Sequence, residues 1–244
     1  FRYIIERYLT KTLTSVIAIS QATKDTVTNR TKLFKDAHEK ITVIENGIPV
    51  PIRKKIFTSD NKKKYKIAII GRLDPHKGHD DFLKALSLIS EEEINQISVQ
   101  FIGGYKDEDY NRVSGLIFSL GLQDHVKITG YLDLSITEII LKLDLVVMVT
   151  KDFEGFGLTI IEALHTGVPV LVTRVGIVPD LFPPGDIMAV EPRDINAIAL
   201  ALSTFVQKPN KQDLISKAVS SKLKYYDSKI ASARYREHLF RSIN

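Results

Sequence analysis

From Tyr65 onward the sequence alternates short, apolar runs with helical stretches, and few folds accommodate that alternation. The runs KIAIIG (66–71), ISVQFIG (97–103), VKITG (126–130), LVVMV (145–149), PVLVT (169–173) and IMAV (187–190) have the length of strands. Between them 79–90, 108–120, 134–142, 157–166 and 176–182 read as helices, and helices over 194–206, 210–224 and 227–242 finish the chain. Most of the strands are continuously apolar, as expected for parallel strands covered on both faces. Repeated βα units of this kind predict an α/β fold, a doubly wound parallel sheet with right-handed crossovers. Such a sheet takes ligands beyond the carboxyl ends of its strands. The residues that matter are therefore Gly71-Arg72, Gly103-Gly104, Gly130-Tyr131, Thr150 to Gly157 and Thr173 to Gly176.

Composition narrows the class. The 244 residues are 44% hydrophobic and 26% charged, with no cysteine, so disulfides and thiolate metal sites are excluded. A reducing compartment fits, and the expected location is the cytoplasm or the inner face of a membrane. The net charge of +5 is spread over the chain, with clusters at Arg53-Lys54-Lys55 and Lys62-Lys63-Lys64. Such runs read as solvated surface or as attraction to anionic ligands and membranes. They carry no interleaved aromatics, so nucleic acid is not an expected partner. No apolar run reaches the roughly 18 residues of a membrane span.

The N-terminal part differs in organisation. The chain opens on Phe1, which reads as a fragment of something longer. Residues 1–13 place Phe1, Ile4, Ile5, Tyr8, Leu9 and Leu13 on one helical stripe. That stripe suits packing against further protein or lying on a membrane surface. SVIAIS (15–20) predicts a strand, 23–34 a helix, and ITVIENG (41–47) a strand entering an Asn46-Gly47 turn. The expected divisions are 1–50 as the remnant of a first domain, 51–64 as a linker, 65–226 as the main domain, and 227–244 as a helix returning to the first domain.

Two stretches can carry chemistry. GRLDPHKGHDDFLKAL (71–86) puts Arg72 and Lys77 at a strand's carboxyl end, where a planar fork and a point charge both suit phosphate oxygens. It matches neither the Walker loop nor the dinucleotide fingerprint. EGFGLTIIEALHTGVPV (154–170) follows a strand and opens a helix, so its glycines admit a ligand and its free N–H groups face an anion. Thr159, Glu162 and Thr166 form the polar stripe of that helix, with Glu162 roughly 7–8 Å along the axis from Gly157. Taken alone, the first stretch also reads as a surface loop with solvated cations, and the second as a helix with a solvent-facing Glu162 and a capping Glu154.

Together they resemble something specific. GRLDPHKG, FIGG, VKITGYL, EGFGLTIIEALHTGVPVLVT and VGIVPDLF occur in the order found in the nucleotide-sugar half of retaining glycosyltransferases of family 4. VIAISQATKD and ITVIENGI are similar to the last segments of that family's N-terminal domain. The resemblance implies the glycosyltransferase B fold, with a partial second Rossmann-like domain at the N-terminus and a donor site in the cleft. It implies that Arg72 and Lys77 hold the donor diphosphate, that Glu154 lies by the transferred sugar, and that Glu162 bonds the ribose. Gly71, Gly103, Phe156, Gly157 and Leu158 would line the donor, with the Gly130-Tyr131 loop beside the base. Asp180 stands where glutamate is common, 175–177 lacks the usual Gly-Gly, and His165 replaces a small residue.

The implied activity is transfer of a sugar from a nucleotide-diphosphate donor to a glycan or lipid-linked acceptor, with retention and without metal or cofactor. Polysaccharide or glycolipid synthesis and peripheral membrane contact are compatible settings. Arg72, Lys77 and the helix N-terminus would stabilise the leaving diphosphate, each such contact contributing on the order of 3 kcal/mol. A non-catalytic binding or assembly subunit and a nucleotide-sugar epimerase remain the alternatives. Intact donor residues oppose the first, and the Gly-Phe-Gly motif opposes the second.

Overall fold

The computed structural model describes residues 12–30, 38–57, 64–208 and 210–243. Its elements are β1 (Val16–Ala18), α1 (Gln21–Arg30), β2 (Ile41–Val43), β3 (Tyr65–Ile70), α2 (His79–Leu86), α3 (Glu91–Asn95), β4 (Ile97–Ile102), α4 (Asp107–Ser119) and β5 (Val126–Gly130). There follow α5 (Ile136–Leu141), β6 (Leu145–Met148), α6 (Leu158–Thr166), β7 (Val170–Thr173), α7 (Val178–Leu181), β8 (Ala189–Val190), α8 (Ile195–Gln207), α9 (Lys217–Lys222) and α10 (Ser228–Ile243).

Six strands form one sheet in the order β5-β4-β3-β6-β7-β8, every neighbouring pair parallel. Strands therefore wind outward from β3 in one direction, then restart at β6 in the other. The reversal leaves a crevice beyond the carboxyl ends of β3 and β6, the position where such sheets bind ligands.

The strands read as continuous apolar runs because each face has its own core. Ile67, Ile69, Leu145, Val147 and Leu171 point to a core with Phe82, Phe101, Leu202 and Phe205, brought mainly by α2 and α8. Ala68, Val146, Val170 and Val172 point to the other, with Ile140, Ile160, Ile161, Val178 and Phe182 from α5, α6, α7 and the residue after it. Each large side chain fully buried this way contributes about 1.5–3 kcal/mol. Both faces are fastened, and the loops at the strand ends inherit that rigidity.

The expected element pattern holds from 65 to 207, with local corrections. Helix α3 was not anticipated; Ser90 and Glu93 cap each other's backbone and start it. The strand expected at 187–190 shrinks to Ala189–Val190, because Asp186 accepts the Met188 N–H at 3.0 Å and makes a turn of the two preceding residues. The helix expected over 210–224 is three short pieces. Ile215 is extended, and Ser216 accepts the Val219 N–H to start α9 afresh. The stripe over 1–13 lies almost wholly outside the described residues.

The N-terminal segment forms a small parallel pair, β1 with β2, carrying α1. It meets the main body at the crevice. Ser20 Oγ and Thr23 Oγ1 both donate to the Gly155 carbonyl, at 2.6 and 3.0 Å. Helix α10 runs along the same segment, with Arg234 at 3.2 Å from Glu45 and His238 Nε2 at 2.5 Å from Ser15 Oγ.

Candidate functional site

The first wall of the crevice is the loop after β3. Leu73 turns inward and is buried, and its N–H bonds the Gly104 carbonyl at 3.0 Å. Asp74 then caps a single 3-10 turn, Pro75–Lys77, by accepting the His76 N–H. Gly78, at φ 75°, turns the chain into α2. No side chain fits there, since a Cβ would lie 1.9 Å from the Val149 carbonyl oxygen. The loop after β3 is thus pressed directly onto β6's end.

The second wall is the loop after β6, and charges clamp it to the first. Lys151 N–H donates to the His76 carbonyl at 2.8 Å, and its ammonium lies 3.7 Å from Asp80 and 3.6 Å from Asp81. Arg112 of α4 holds Asp80 and, at 3.3 Å, Asp109. Below this network His79 is fully buried, edge-on to Phe101 at 4.7 Å, with neither ring nitrogen bonded among the described residues. Burial holds its pKa down at about 4, against the pull of Asp80 and Asp74.

Residues 154–157 then cross the mouth. Lys77 Nζ lies 2.6 Å from Glu154 Oε2, with both side chains mostly covered. Gly176, at φ 63°, backs the motif so closely that a Cβ would meet the Glu154 and Phe156 carbonyl oxygens at 2.9 and 3.0 Å. Phe156 is buried with its ring edge-on to Tyr226, whose phenol is pushed up to about 12 by burial and by the Glu45 and Asp180 carboxylates. Gly157, at φ 98°, opens α6, and among the described residues no side chain caps that helix. Its first N–H groups, with the positive end of the helix dipole, therefore face the crevice.

These pieces enclose a crevice of about 480 Å³ lined by Gly71, Arg72, Lys77, Glu154, Phe156, Gly157 and Leu158, with Ile19 and Asn46 from the N-terminal segment. Seven of the candidate site residues are thus brought together. Arg72 is extended, its side chain 77% exposed and 3.3 Å from Asp74. It also borders a second cavity of about 280 Å³, with Gly104, Tyr105 and Tyr131. Tyr131 is exposed there, one cavity away from Glu154.

Gly103 and Gly130 line neither space. They join strand ends, Gly103 N–H bonding the Gly130 carbonyl at 3.0 Å, and a Cβ on Gly103 would lie 2.2 Å from the Gly71 carbonyl oxygen. Glu162 sits one turn along α6, outside the crevice lining and half-buried. It has no hydrogen-bond or ion-pair partner among the described residues, and burial raises its carboxyl pKa. The polar stripe on α6 is shorter than expected. Thr166 is buried and donates to the Ala163 carbonyl at 2.7 Å, leaving Thr159 and Glu162.

The sequence reading missed Lys151, Asp80, Asp81 and Arg112, which set the loops against each other. The signal was there: two aspartates open the helix after one strand, and a lysine follows the strand next to it. Chemically, the site offers to an anion the Lys77 ammonium paired with Glu154, the exposed Arg72 guanidinium paired with Asp74, and a helix N-terminus. Among the described residues no three His, Asp or Glu converge as metal ligands.

This strand order, with its crevice at the reversal, defines a Rossmann-like α/β protein, and its structural neighbours are glycosyltransferases of the B type. HepE of Anabaena, solved with UDP and glucose, matches at a TM-score of 0.81 and 22% identity over 98% of this chain and 66% of its own. Sucrose-phosphate synthase of Thermosynechococcus elongatus matches at 0.78 and 21%, over 99% of this chain and 61% of its own. The family model of glycosyl transferases group 1 matches residues 52–221, and the chain belongs to that family.

Among curated proteins, an uncharacterized glycosyltransferase of Methanocaldococcus jannaschii is 26% identical over 66% of this chain and 42% of its own length. Mannosylfructose-phosphate synthase of Agrobacterium fabrum is 32% identical over 44% of this chain and 25% of its own. The chain spans less than half the length of these curated relatives.

Proposed function

We propose that this chain is the donor-binding half of a retaining glycosyltransferase of family 4, acting on a nucleotide-diphosphate sugar. The observation that carries the reading is the crevice at the strand-order reversal, which gathers Lys77, Glu154 and the uncapped start of α6 around one space. A diphosphate seated at the helix start would meet Lys77 and, after a swing of its exposed side chain, Arg72. Phe156, Gly157 and Leu158 would present backbone to the sugar. Glu162, desolvated and unpaired, would accept from ribose hydroxyls farther along the helix. The base would lie toward Tyr131, in the neighbouring cavity.

In the reaction the bond between the anomeric carbon and the diphosphate oxygen breaks, with positive charge growing on the sugar and negative charge on the leaving group, while an acceptor hydroxyl oxygen bonds the anomeric carbon and its proton passes to the departing diphosphate. Cations and helix N–H groups that tighten on that growing charge lower the barrier. Glu154, already bonded to Lys77, stabilises the electron-poor sugar by its charge and is not assigned as a nucleophile. The acceptor would be a glycan or a lipid-linked molecule, met at the cytoplasmic face of a membrane or in the cytoplasm.

The test uses the longest natural form of the chain with UDP-, GDP- and ADP-glucose and the matching mannose and N-acetylglucosamine donors. Release of one nucleoside diphosphate, with the anomeric configuration kept in the product or in slow hydrolysis, supports the reading. Inversion, or no turnover and no binding with any donor, refutes it.

A further inference from the structure

The chain passes twice between its N-terminal segment and the six-stranded body, and the two crossings touch. Ile48 N–H bonds the Tyr226 carbonyl at 2.9 Å, and Ser228 N–H bonds the Ile48 carbonyl at 2.9 Å. Just beside this junction lies a cavity of about 530 Å³, as large as the donor crevice and lined by different residues. It sits at the far end of α6, where Gly167 closes the helix that Gly157 opens at the crevice.

The lining has two parts. Leu164, Leu223 and Ile230 supply an apolar wall, while Lys54 comes from one crossing and Lys224 and Asp227 from the other. Neither lysine makes a salt bridge among the described residues, and neither has been used by the donor site. His165 completes the wall. It is 8% exposed, and its Nε2 is buried without a partner among the described residues. A buried polar atom left unbonded at a cavity wall is rare in folded proteins and calls for an occupant able to bond it.

We propose that this cavity binds a small organic phosphate, its anion held by Lys54 and Lys224 and its hydroxylated body lying against Leu164, Leu223 and Ile230. Two ammonium groups with no carboxylate partner among the described residues, Lys224 lying 5.3 Å from the Tyr225 ring centroid, match a phosphate monoester, and Asp227 and His165 Nε2 are acceptors for hydroxyls. The apolar wall favours a ligand with a carbon body over the bare ion. Because the cavity draws on both crossings and on the C-terminal end of α6, its occupant would brace the junction between N-terminal segment and body. The proposal does not depend on the donor reading.

The experiment follows the six histidine imidazoles by NMR while glucose 6-phosphate, and separately inorganic phosphate, is titrated into the protein. The His165 signal is expected to move saturably with glucose 6-phosphate and at least tenfold more weakly with inorganic phosphate. Combined Lys54→Ala and Lys224→Ala substitution, on exposed side chains that leave the core intact, should weaken the response tenfold or more. Lys77→Ala should leave it unchanged. An immobile His165 signal, equal affinity for the bare ion, or a response lost with Lys77→Ala instead would each overturn the proposal.

Discussion

Lowering the pH from 7 to 4 should cost this protein about 3 kcal/mol of stability through one residue, His79. In the folded chain its imidazole is fully buried against Phe101 and holds its proton only below about 4. In the unfolded chain it protonates near 6.5. Between those values the unfolded state binds the extra proton, so stability is complete above pH 6.5 and falls as the pH drops toward 4. The gap of about 2.5, at ~1.4 kcal/mol per pH unit, gives ~3 kcal/mol. His165, also held down by burial, adds in the same direction, while Glu162 and Asp180, raised by burial, oppose it. The comparison that isolates His79 is urea unfolding of the native protein and His79→Leu at pH 7, 6, 5 and 4. The native protein should lose ~3 kcal/mol relative to the variant over that range. A difference that stays flat with pH would mean the imidazole is charged or solvated in the folded state, and the burial argument would be wrong.

Other consequences are as direct. Gly78→Ala forces a Cβ to 1.9 Å from the Val149 carbonyl oxygen at φ 75°, so the urea midpoint should fall by an amount equivalent to at least ~2 kcal/mol. Lys211→Met removes the buried donor to the Phe205, Val206 and Lys208 carbonyls, and thermal unfolding should show a loss of ~2–3 kcal/mol. If Glu162 accepts ribose hydroxyls, nucleoside diphosphate affinity should decline as the pH falls through its raised titration range, and Glu162→Gln should bind weakly with no such slope.

Much of this architecture was legible in the sequence because the deciding signals are local. Strand runs such as LVVMV are apolar throughout, and the sheet needs that on both faces, so position and type were readable from β3 to α8 except for the short helix α3 and the full extent of β8. The loops that build the crevice were readable for a related reason: Gly71 follows β3, Gly103 follows β4, and the loop after β6 carries Gly155 and Gly157; the reversal of strand order, seen in the structure, brings the loops after β3 and β6 together. What escaped were features decided by distant partners. The clamp of Lys151 on Asp80 and Asp81, the seat of Ser20 and Thr23 on the Gly155 carbonyl, and the burial of His79 each join segments far apart in the chain. Periodicity over 210–224 suggested one helix, and the caps at Asn210 and Ser216, local signals that were overlooked, broke it.

The central claim is that the crevice between β3 and β6 holds a nucleoside diphosphate, with its anion on Lys77 and its ribose on Glu162. Calorimetric titration of the protein with UDP, GDP and ADP tests it most directly, repeated on Lys77→Ala and Glu162→Ala shown to be folded by circular dichroism. The account predicts preferential binding of one diphosphate, weakened about tenfold or more by either substitution, ~1.4 kcal/mol or above. Binding that both substitutions leave intact, or no binding of any diphosphate by the longest natural form of the chain, would contradict it.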